Sequence, residues 1–411
     1  MSTIYQVQLT RCTYGGEAFG RLPDGRAVFV PFALPEETAR IRLVEDKPGY
    51  ARAELLEIVT PSPQRISPRC AHFGLCGGCH YQHMPYELQL QTKTAILGEQ
   101  LERIGKLKNP PVAPAIASPL PYHYRNHIQF DLTPEGKLGY HTALTDQVFA
   151  IQECHLPQQP LHQLWQMIDI EPFPGLQGVH LRLGMNDEAM LILVCDEPQL
   201  PQFQVEGLPI SAVHLSPAGR QVLVGNEYLM MEVLGRLFRV SADSFFQVNT
   251  PMAAAMVEHV LRLLDLTRAD TALEVYAGVG LFSAFLAPKV GRLIAIEASA
   301  SACDDFAFNL DEYDNVELYQ ATAEETLPRL EVHPKAILVD PPRSGIARKA
   351  MQGILGLKPQ QLVYISCDPA TLARDARYLA AGGYRLVQIT PFDLFPQTYH
   401  IESISLWERV A

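Results

Sequence analysis

The sequence lacks an apolar run long enough to cross a membrane, although 47% of its 411 residues are hydrophobic. A membrane-spanning helix needs about 20 consecutive apolar residues, so we predict that the chain has no membrane span. The first residues, MSTIYQVQLTR, also lack the basic stretch and apolar core that mark a secretory signal. A cytoplasmic location is therefore the default expectation.

The chain also lacks an excess of basic residues, since 33 Lys and Arg stand against 45 Asp and Glu, for a formal net charge of -12. A protein that coats nucleic acid needs many Lys and Arg on one face, because counterion release from the phosphates drives such binding. Indiscriminate coating is thereby disfavoured. An enzyme that holds one folded RNA through a local patch is compatible with this charge.

Three patterns along the chain predict a multidomain α/β protein. Residues 1–61 alternate apolar and polar residues in short runs broken by glycines, which is typical of a small antiparallel β-barrel. After the boundary segment TPSPQRISP, residues 62–236 contain an amphipathic helix at 85–104 and then short strand-like runs, which indicate a mostly β central domain. From 237 to 411 strands alternate with helices, which predicts a Rossmann-like, largely parallel sheet. The helix at 85–104 is a candidate to pack on this last domain.

A glycine-containing turn predicts a site for a nucleoside-containing cofactor. The strand that ends at Tyr276 runs into Gly278 and Gly280, and the next strand ends at Glu297. In Rossmann-like folds such glycines let the backbone approach the ligand, and the acidic side chain accepts hydrogen bonds from ribose hydroxyls. Only two of the three dinucleotide glycines are present, which disfavours a pyrophosphate and leaves room for S-adenosylmethionine. A purely structural turn is the alternative.

Reactive side chains follow two neighbouring strands of the predicted sheet. Asp340 and Arg343 stand in DPPRSG, where two prolines end the strand and hold the chain extended. Cys367 follows the next strand, just before a predicted helix whose dipole would stabilise a thiolate. Both groups are expected at the carboxyl edge of the sheet, where open α/β folds bind ligands. An ordinary buried cysteine beside a Pro-rich surface loop is the alternative.

A thiolate at this edge suggests pyrimidine chemistry, because C5 of a pyrimidine becomes nucleophilic only after a thiolate adds to C6. The reaction then needs a donor that stabilises the enolate and a base that removes the C5 proton. Glu402 lies in a strand-like alternation near the C-terminus, and we predict that it is this base. An exposed Glu on an edge strand is the alternative.

Taken together, these segments resemble the RNA uracil-C5 methyltransferase family over essentially the whole chain. The segments that carry the resemblance, in this order, are SFFQVN, VYAGVGLFS, IAIE, VDPPRSG, YISCDPATLARD and HIES. The resemblance implies S-adenosylmethionine as methyl donor, with Cys367 as nucleophile and Glu402 as base. It implies four cofactor contacts, namely Gln247, Tyr276, Glu297 and Asp340. This chain departs from the family at Ala277 and Leu281, where many members have Cys and Asn.

Residues 1–60 resemble a TRAM domain, a small barrel that binds RNA in several modification enzymes. Seven basic residues stand against eight acidic ones here, so the expected RNA role depends on the resemblance and not on charge. A second candidate RNA contact is the segment from Tyr122 to His127, YHYRNH, where aromatic and basic residues interleave as base stacking would need. An ordinary strand is the alternative for this segment.

Four of the eight cysteines are candidate metal ligands. Cys70, Cys76 and Cys79 lie close together with glycines between them, and Cys154 could complete a set of four thiolates. Thiolate softness alone permits zinc, and binding no metal is also open. Family members with this spacing hold a four-iron, four-sulfur cluster, so the resemblance implies a 4Fe-4S cluster with a structural or RNA-binding role.

The RNA target is the least determined expectation. The family divides between ribosomal RNA and the T-loop of tRNA, and the combination of a TRAM-like domain with the cysteine set favours 23S ribosomal RNA. Two other function classes are a radical or sulfur-transferring RNA modification enzyme, whose cysteine spacing differs, and a catalytically inert RNA-binding module. No partner protein is indicated, so a monomer is expected.

Overall fold

The N-terminal region forms a closed five-stranded barrel in the computed structural model, which describes residues 4–410 apart from 169, 172 and 201–209. The strands close in the order β1-β2-β3-β5-β4. Alternate residues point inward and form a core that includes Leu9, Val28 and Ile41, as the period of two in the sequence predicts. The bounds of the five strands are β1 Ile4–Cys12, β2 Glu17–Arg21, β3 Ala27–Pro31, β4 Thr38–Asp46 and β5 Tyr50–Thr60.

The predicted amphipathic helix is α1, Tyr86–Arg103. Its apolar residues Ile96, Leu97 and Leu101 are buried in the same core cluster as the C-terminal sheet. Within that domain α1 contacts the helix α8, Pro369–Ala381, and the strand β20, Tyr384–Phe392.

The central domain is a seven-stranded sheet covered by one short helix. The strand order is β12-β11-β10-β9-β6-β7-β8, antiparallel except for the β10–β11 pair. The helix α2 packs on the sheet through Leu161, Leu164 and Trp165. The bounds are β6 His127–Leu132, β7 Leu138–His141, β8 Val148–Ala150, α2 Gln159–Met167, β9 Leu176–Leu183, β10 Ala189–Cys195, β11 Ile210–Ser216 and β12 Gly219–Val224.

A hairpin joins the central sheet to the C-terminal domain. Its strands are β13, Tyr228–Val233, and β14, Arg236–Ser241. Residues of both strands belong to the core cluster of the C-terminal sheet, with Phe238 and Val240 fully buried. The boundary predicted at 236/237 therefore falls inside a structural unit that packs with the C-terminal domain.

The C-terminal domain is a seven-stranded sheet with helices on both faces, in the order β17-β16-β15-β18-β19-β21-β20. Strands β15 to β19 run parallel, and β21 pairs antiparallel with both β19 and β20. Chain order reverses between β15 and β18, which is where open α/β sheets bind ligands. The remaining bounds are α3 Thr250–Leu263, β15 Thr271–Val275, α4 Ser283–Leu286, β16 Arg292–Glu297, α5 Ala300–Asn309, β17 Val316–Gln320, α6 Ala323–Thr326, β18 Ala336–Val339, α7 Arg348–Leu357, β19 Gln361–Ser366 and β21 Glu402–Arg409.

The predicted fold class, a small N-terminal barrel followed by a mostly β domain and a Rossmann-like domain, is confirmed by this architecture. None of the helices in the described part of the chain is long and apolar enough to span a membrane.

Candidate active site

All six residues predicted for catalysis and cofactor binding line one cavity at the carboxyl edge of the C-terminal sheet. Its volume of about 610 Å³ lies within the range of small-molecule sites in proteins. The six are Gln247, Tyr276, Glu297, Asp340, Cys367 and Glu402. The cavity therefore brings together a cysteine and three carboxyl groups that lie on four different segments of the chain.

The turn after β15 forms one wall of this cavity. Tyr276 adopts a left-handed backbone conformation, with φ 65°, which is uncommon outside glycine and typical of functional turns. Gly280 is also left-handed, and a Cβ atom there would lie 2.4 Å from the Leu310 side chain. The Gly278 amide donates a 2.8 Å hydrogen bond to the Glu297 carboxylate, which also accepts bonds from the two following backbone amides. Glu297 is thus held in place beside the turn.

Two buried carboxyl groups lie beneath the turn. Burial raises the pKa of Asp340 to about 7 and that of Glu274 to about 8. Ser283 donates a hydrogen bond from its hydroxyl to Glu274. A cationic ligand in the cavity would favour the charged form of such carboxyl groups, so the site fits a positively charged cofactor.

Cys367 follows β19 and precedes α8, as predicted, but the helix dipole does not act on it as expected. The Asp368 side chain accepts hydrogen bonds from the Ala370 and Thr371 amides, at 2.9 and 2.8 Å, and so occupies the helix N-terminus. Burial, followed by the neighbouring Glu402 carboxyl, raises the pKa of Cys367 to about 12. The expectation of a thiolate stabilised by the helix was wrong, because the group is buried among carboxylates.

Glu402 begins β21, an interior strand between β19 and β20, so the alternative of an edge strand is wrong. The antiparallel register pairs Ser366 with Ser403, and one further step along both strands places Cys367 opposite Glu402. Glu402 is buried, and burial followed by the neighbouring Asp340 raises its pKa to about 8. The cysteine and the predicted base therefore lie near each other and line the same cavity.

Three residues that the sequence did not single out complete the surroundings of the site. His400 lines the cavity, and burial next to Arg343 lowers its pKa to about 3, so the ring is neutral. Phe245 lies at the same cavity with 69% of its surface exposed. Tyr14 of the barrel donates a 2.6 Å hydrogen bond to the Asp368 carboxylate. His400 and Phe245 stand within the HIES and SFFQVN segments, which is the signal that could have found them, whereas Tyr14 carried no such signal.

Two of the six residues of the segment YHYRNH, predicted as a base-stacking surface, are buried, and the other four are half-buried. Tyr124 is buried and donates a hydrogen bond to the Pro396 carbonyl at 3.2 Å. The buried Asn126 amide donates to the Gln247 carbonyl and to the Thr250 hydroxyl, at 3.1 and 3.0 Å. Asn126 thus supports the backbone at Gln247, and the RNA contact of the four half-buried residues stays a prediction.

The four predicted cysteine ligands line a second cavity of about 730 Å³, which His400 also borders. All four are free thiols, and burial raises the pKa of Cys79 and raises that of Cys154 to about 12. Among the described residues, however, no group of three or more His, Cys, Asp or Glu side chains is arranged to hold a metal ion. The side-chain arrangement thus does not support the predicted cluster, although the donor set would suit one, since clusters bind thiolates whose protons leave on binding.

Comparison with known proteins places the chain among RNA-modifying methyltransferases. Residues 201–410 match the family model for tRNA (uracil-5-)-methyltransferases, and residues 3–56 match the TRAM domain. An uncharacterized RNA methyltransferase of Aquifex aeolicus is 36% identical over 98% of both chains, and one of Halalkalibacterium halodurans is 32% identical over 98% of this chain and 97% of its own. The fold matches a Pyrococcus abyssi tRNA (uracil-54, C5)-methyltransferase crystallised with S-adenosyl-L-homocysteine, with a TM-score of 0.74, 23% identity and coverage of 98% and 100% of the two chains. The resemblance seen in the sequence is confirmed.

Proposed function

Because the chain belongs to the tRNA (uracil-5-)-methyltransferase family, we propose that it methylates C5 of a uridine in RNA through a covalent adduct at Cys367. The observation that carries this proposal is the single cavity that Cys367 and Glu402 share with the four residues expected to bind the cofactor. The roles of these six residues follow from their placement and from the family resemblance.

The first step is the addition of the Cys367 sulfur to C6 of the uracil. A new S–C6 bond forms while the electron pair of the C5–C6 double bond moves toward O4, which makes C5 nucleophilic. Burial favours the neutral thiol of Cys367, so its proton must leave as the S–C6 bond forms. In this proposal Glu402 accepts that proton and releases it to solvent before it removes the C5 proton in the last step. Asp340 also acts on the thiol electrostatically. S-adenosylmethionine, when bound beside these carboxyl groups, would supply an electrophilic methyl carbon and a positive charge that lowers their pKa values.

The last step restores the aromatic-like uracil ring. Glu402 removes the proton from the methylated C5, the C5–C6 double bond re-forms and the S–C6 bond breaks. Glu402 lines the same cavity as Cys367 and acts on its thiol electrostatically, which supports this role. Arg343, which also lines the cavity, partly offsets the negative charge that the two carboxylates impose on the thiolate.

The covalent adduct is directly testable. RNA that carries 5-fluorouridine has no removable proton at C5, so the enzyme should be trapped as a protein–RNA adduct in the presence of S-adenosylmethionine. Wild-type protein should give a band that survives denaturing gel electrophoresis, and Cys367→Ala should give none. Cys303→Ala, which removes a buried cysteine outside the cavity, is the matched control. An adduct formed by Cys367→Ala would exclude the proposed nucleophile.

For the substrate, we propose a uridine of 23S ribosomal RNA, with the T-loop of tRNA as the second candidate. The TRAM domain together with the cysteine-lined cavity supports ribosomal RNA, whereas the structurally similar archaeal enzyme is named for tRNA. In this proposal the barrel binds RNA, and the enzyme acts as a monomer. Mapping 5-methyluridine in total RNA from a deletion strain should show one site lost from 23S RNA, and a loss confined to tRNA would favour the second candidate.

We further propose that Cys70, Cys76, Cys79 and Cys154 hold a 4Fe-4S cluster. The four side chains line one cavity and consist only of sulfur donors, which is the usual ligand set of such clusters. Protein purified without oxygen should be brown and contain about four irons per chain, and Cys76→Ala should lose both. Cys195→Ala, a buried cysteine of the central sheet core, should retain them. Stoichiometric zinc in place of iron would contradict the proposal.

A further inference from the structure

A row of side chains crosses the outer face of the barrel over four neighbouring strands. The strand register pairs Arg11 with Phe19, Phe19 with Phe29, and Phe29 with Arg52. The residues on either side of both rings are buried in the barrel core, so the rings themselves face outward. We call these four residues the aromatic row. They place two half-exposed rings between two arginines on an otherwise unremarkable small barrel.

Each arginine of this surface lies over a ring. The guanidinium carbon of Arg11 is 4.6 Å from the centre of the Phe19 ring, and that of Arg21 is 5.7 Å from the same ring. Arg52 lies 6.0 Å from the centre of the Phe29 ring. The two phenylalanine rings meet edge to face at 5.9 Å. Cations and π-faces are thus presented together, which is the combination that binds single-stranded nucleic acid.

The charges of the row are available to a ligand. Arg11 pairs with Glu99 and Arg52 with Glu17, but 41% and 52% of the arginine side chains are exposed, and such pairs contribute little stability. Beside the row, the exposed Arg21 donates a 2.7 Å hydrogen bond to the Gly25 carbonyl and, within the part of the chain that the structure describes, pairs with no carboxylate. Phosphate groups can therefore replace the existing partners or bind Arg21 directly. The barrel has nearly equal numbers of acidic and basic residues, but this arrangement gathers three arginines beside the two rings.

The row also lies near the active site along the chain. Arg11 is three residues from Tyr14, so their Cα atoms are at most about 11 Å apart. Tyr14 in turn contacts Asp368, the neighbour of Cys367. A strand of RNA that delivers a uridine to the cavity thus passes close to this end of the barrel.

We propose that the aromatic row, extended by Tyr50 beside Phe29, is the surface on which the barrel binds unpaired bases of the substrate RNA. The rings stack on bases, and the arginines bind the phosphates between them. This inference rests on the proposed function, because it takes RNA as the substrate. It adds that the barrel binds a single-stranded segment of the RNA next to the modified uridine.

The test uses the full-length chain and a labelled single-stranded RNA of about 12 nucleotides, a length that small barrels can cover. Phe19→Ala and Phe29→Ala should each raise the Kd by about tenfold, since each removes one stacking ring. Phe19→Tyr should bind as wild type because it keeps the ring. Arg21→Gln should reduce the slope of log Kd against log salt by about one phosphate contact. Val44→Ala, an exposed apolar residue on β4, is the matched control.

Two results would overturn the proposal. One is an unchanged Kd for both phenylalanine variants, and the other is an equal loss in Val44→Ala. If the variants instead lose self-association or a co-purifying protein while RNA binding is kept, the surface belongs to a protein partner. Trapping with 5-fluorouridine distinguishes this proposal from the proposed function. A wild-type protein that binds the RNA through the row but forms no adduct would contradict the proposed function and still support the proposed RNA-binding surface.

Discussion

At the scale of single residues, the cavity holds three carboxyl groups in surroundings that disfavour their charged forms. Burial raises the pKa values of Glu274, Asp340 and Glu402 to between about 7 and about 8. The folded protein therefore loses stability as the pH rises and these groups ionise. A site that binds a cation and removes a proton requires such carboxyl groups, so this loss of stability at high pH accompanies the proposed methyl transfer.

Glu402→Gln should abolish turnover and stabilise the protein at high pH. The folded pKa of Glu402 is about 8 against an ordinary value of 4.5, so its stabilising contribution is complete below about pH 4.5 and is lost as the pH rises through 8. At pH 8.5 the variant should unfold with a free energy higher by roughly 3 kcal/mol, and at pH 4.5 the difference should vanish. Turnover should fall by at least about 100-fold. Urea denaturation at the two pH values measures the first effect.

The matched control is Glu408→Gln on the same strand, whose side chain is 41% exposed. It should change neither stability nor turnover. A Glu402→Gln protein that is no more stable than wild type at pH 8.5 would mean that Glu402 is charged at no cost in the folded state.

The gathering of the six predicted residues in one cavity could be expected from the sequence, but their electrostatics could not. Cys367 follows a recognisable strand and Glu402 begins one, and both stand in family motifs. The pKa of Cys367 depends on the carboxyl groups that the fold brings around it, one of them 35 positions away on an inserted antiparallel strand. The local signal, a cysteine before a helix, suggested the opposite shift.

At the scale of structural elements, the turn between β19 and α8 of the C-terminal domain is contacted by Tyr14 of the N-terminal barrel. Asp368 uses one carboxylate oxygen to cap α8 and the other to accept the Tyr14 hydroxyl. Tyr14 also packs edge-on against Tyr399, with ring centres 5.9 Å apart. The barrel therefore supports the turn that presents Cys367.

Tyr14→Phe should slow the reaction and destabilise the protein by similar free energies. The variant removes a hydrogen bond to a carboxylate, and because the pair is only half-buried we expect a loss of about 1 kcal/mol in unfolding free energy. Adduct formation with 5-fluorouridine RNA should slow by about fivefold, which corresponds to a similar free energy. Tyr5→Phe, elsewhere on β1, should match wild type.

A double-mutant cycle with Asp368→Asn distinguishes positioning from general damage. Asparagine keeps the helix cap but weakens the bond with Tyr14, so the single change should slow the adduct by about as much as Tyr14→Phe, or about 1 kcal/mol. If the Tyr14–Asp368 bond positions the turn, the two changes together should slow the adduct no more than Tyr14→Phe alone, with a coupling energy near 1 kcal/mol. Fully additive effects would contradict this role.

Elements with strong periodicity were predictable, and elements defined by packing were not. The barrel strands, α1 and the buried strands of the C-terminal sheet have clear alternation or amphipathic patterns. Strand β17 lies at the sheet edge and has no fully buried residue, so its sequence VELYQ carries no such pattern. The hairpin of β13 and β14 has the alternation of the central domain, yet its buried face packs on α3 and α5.

At the scale of the whole molecule, the loop between β20 and β21, residues 393–401, connects the other parts. The Gln397 carbonyl accepts hydrogen bonds from the amides of His80 and Tyr81, which follow the cysteine loop. Its side chain pairs with Gln89 of α1, and the neighbouring His400 borders both cavities. These partners lie about 300 positions apart in sequence, which is why no local pattern predicted the contacts.

The anchor of this loop is a buried ion pair between Lys93 of α1 and Asp393, with the nitrogen and oxygen 2.5 Å apart and both side chains at most 1% exposed. Lys93 also donates a 3.0 Å hydrogen bond to the Phe395 carbonyl. Lys93→Met should lower the unfolding free energy by about 3–5 kcal/mol, because it leaves a buried carboxylate without its partner. Lys93→Met combined with Asp393→Leu should recover most of that loss, since an apolar pair needs no compensating charge. Urea denaturation measures the unfolding free energies of both variants, with Lys108→Met as an exposed control. A double variant as unstable as the single one would show that the hydrogen bonds of the pair, and not its charges, hold the loop.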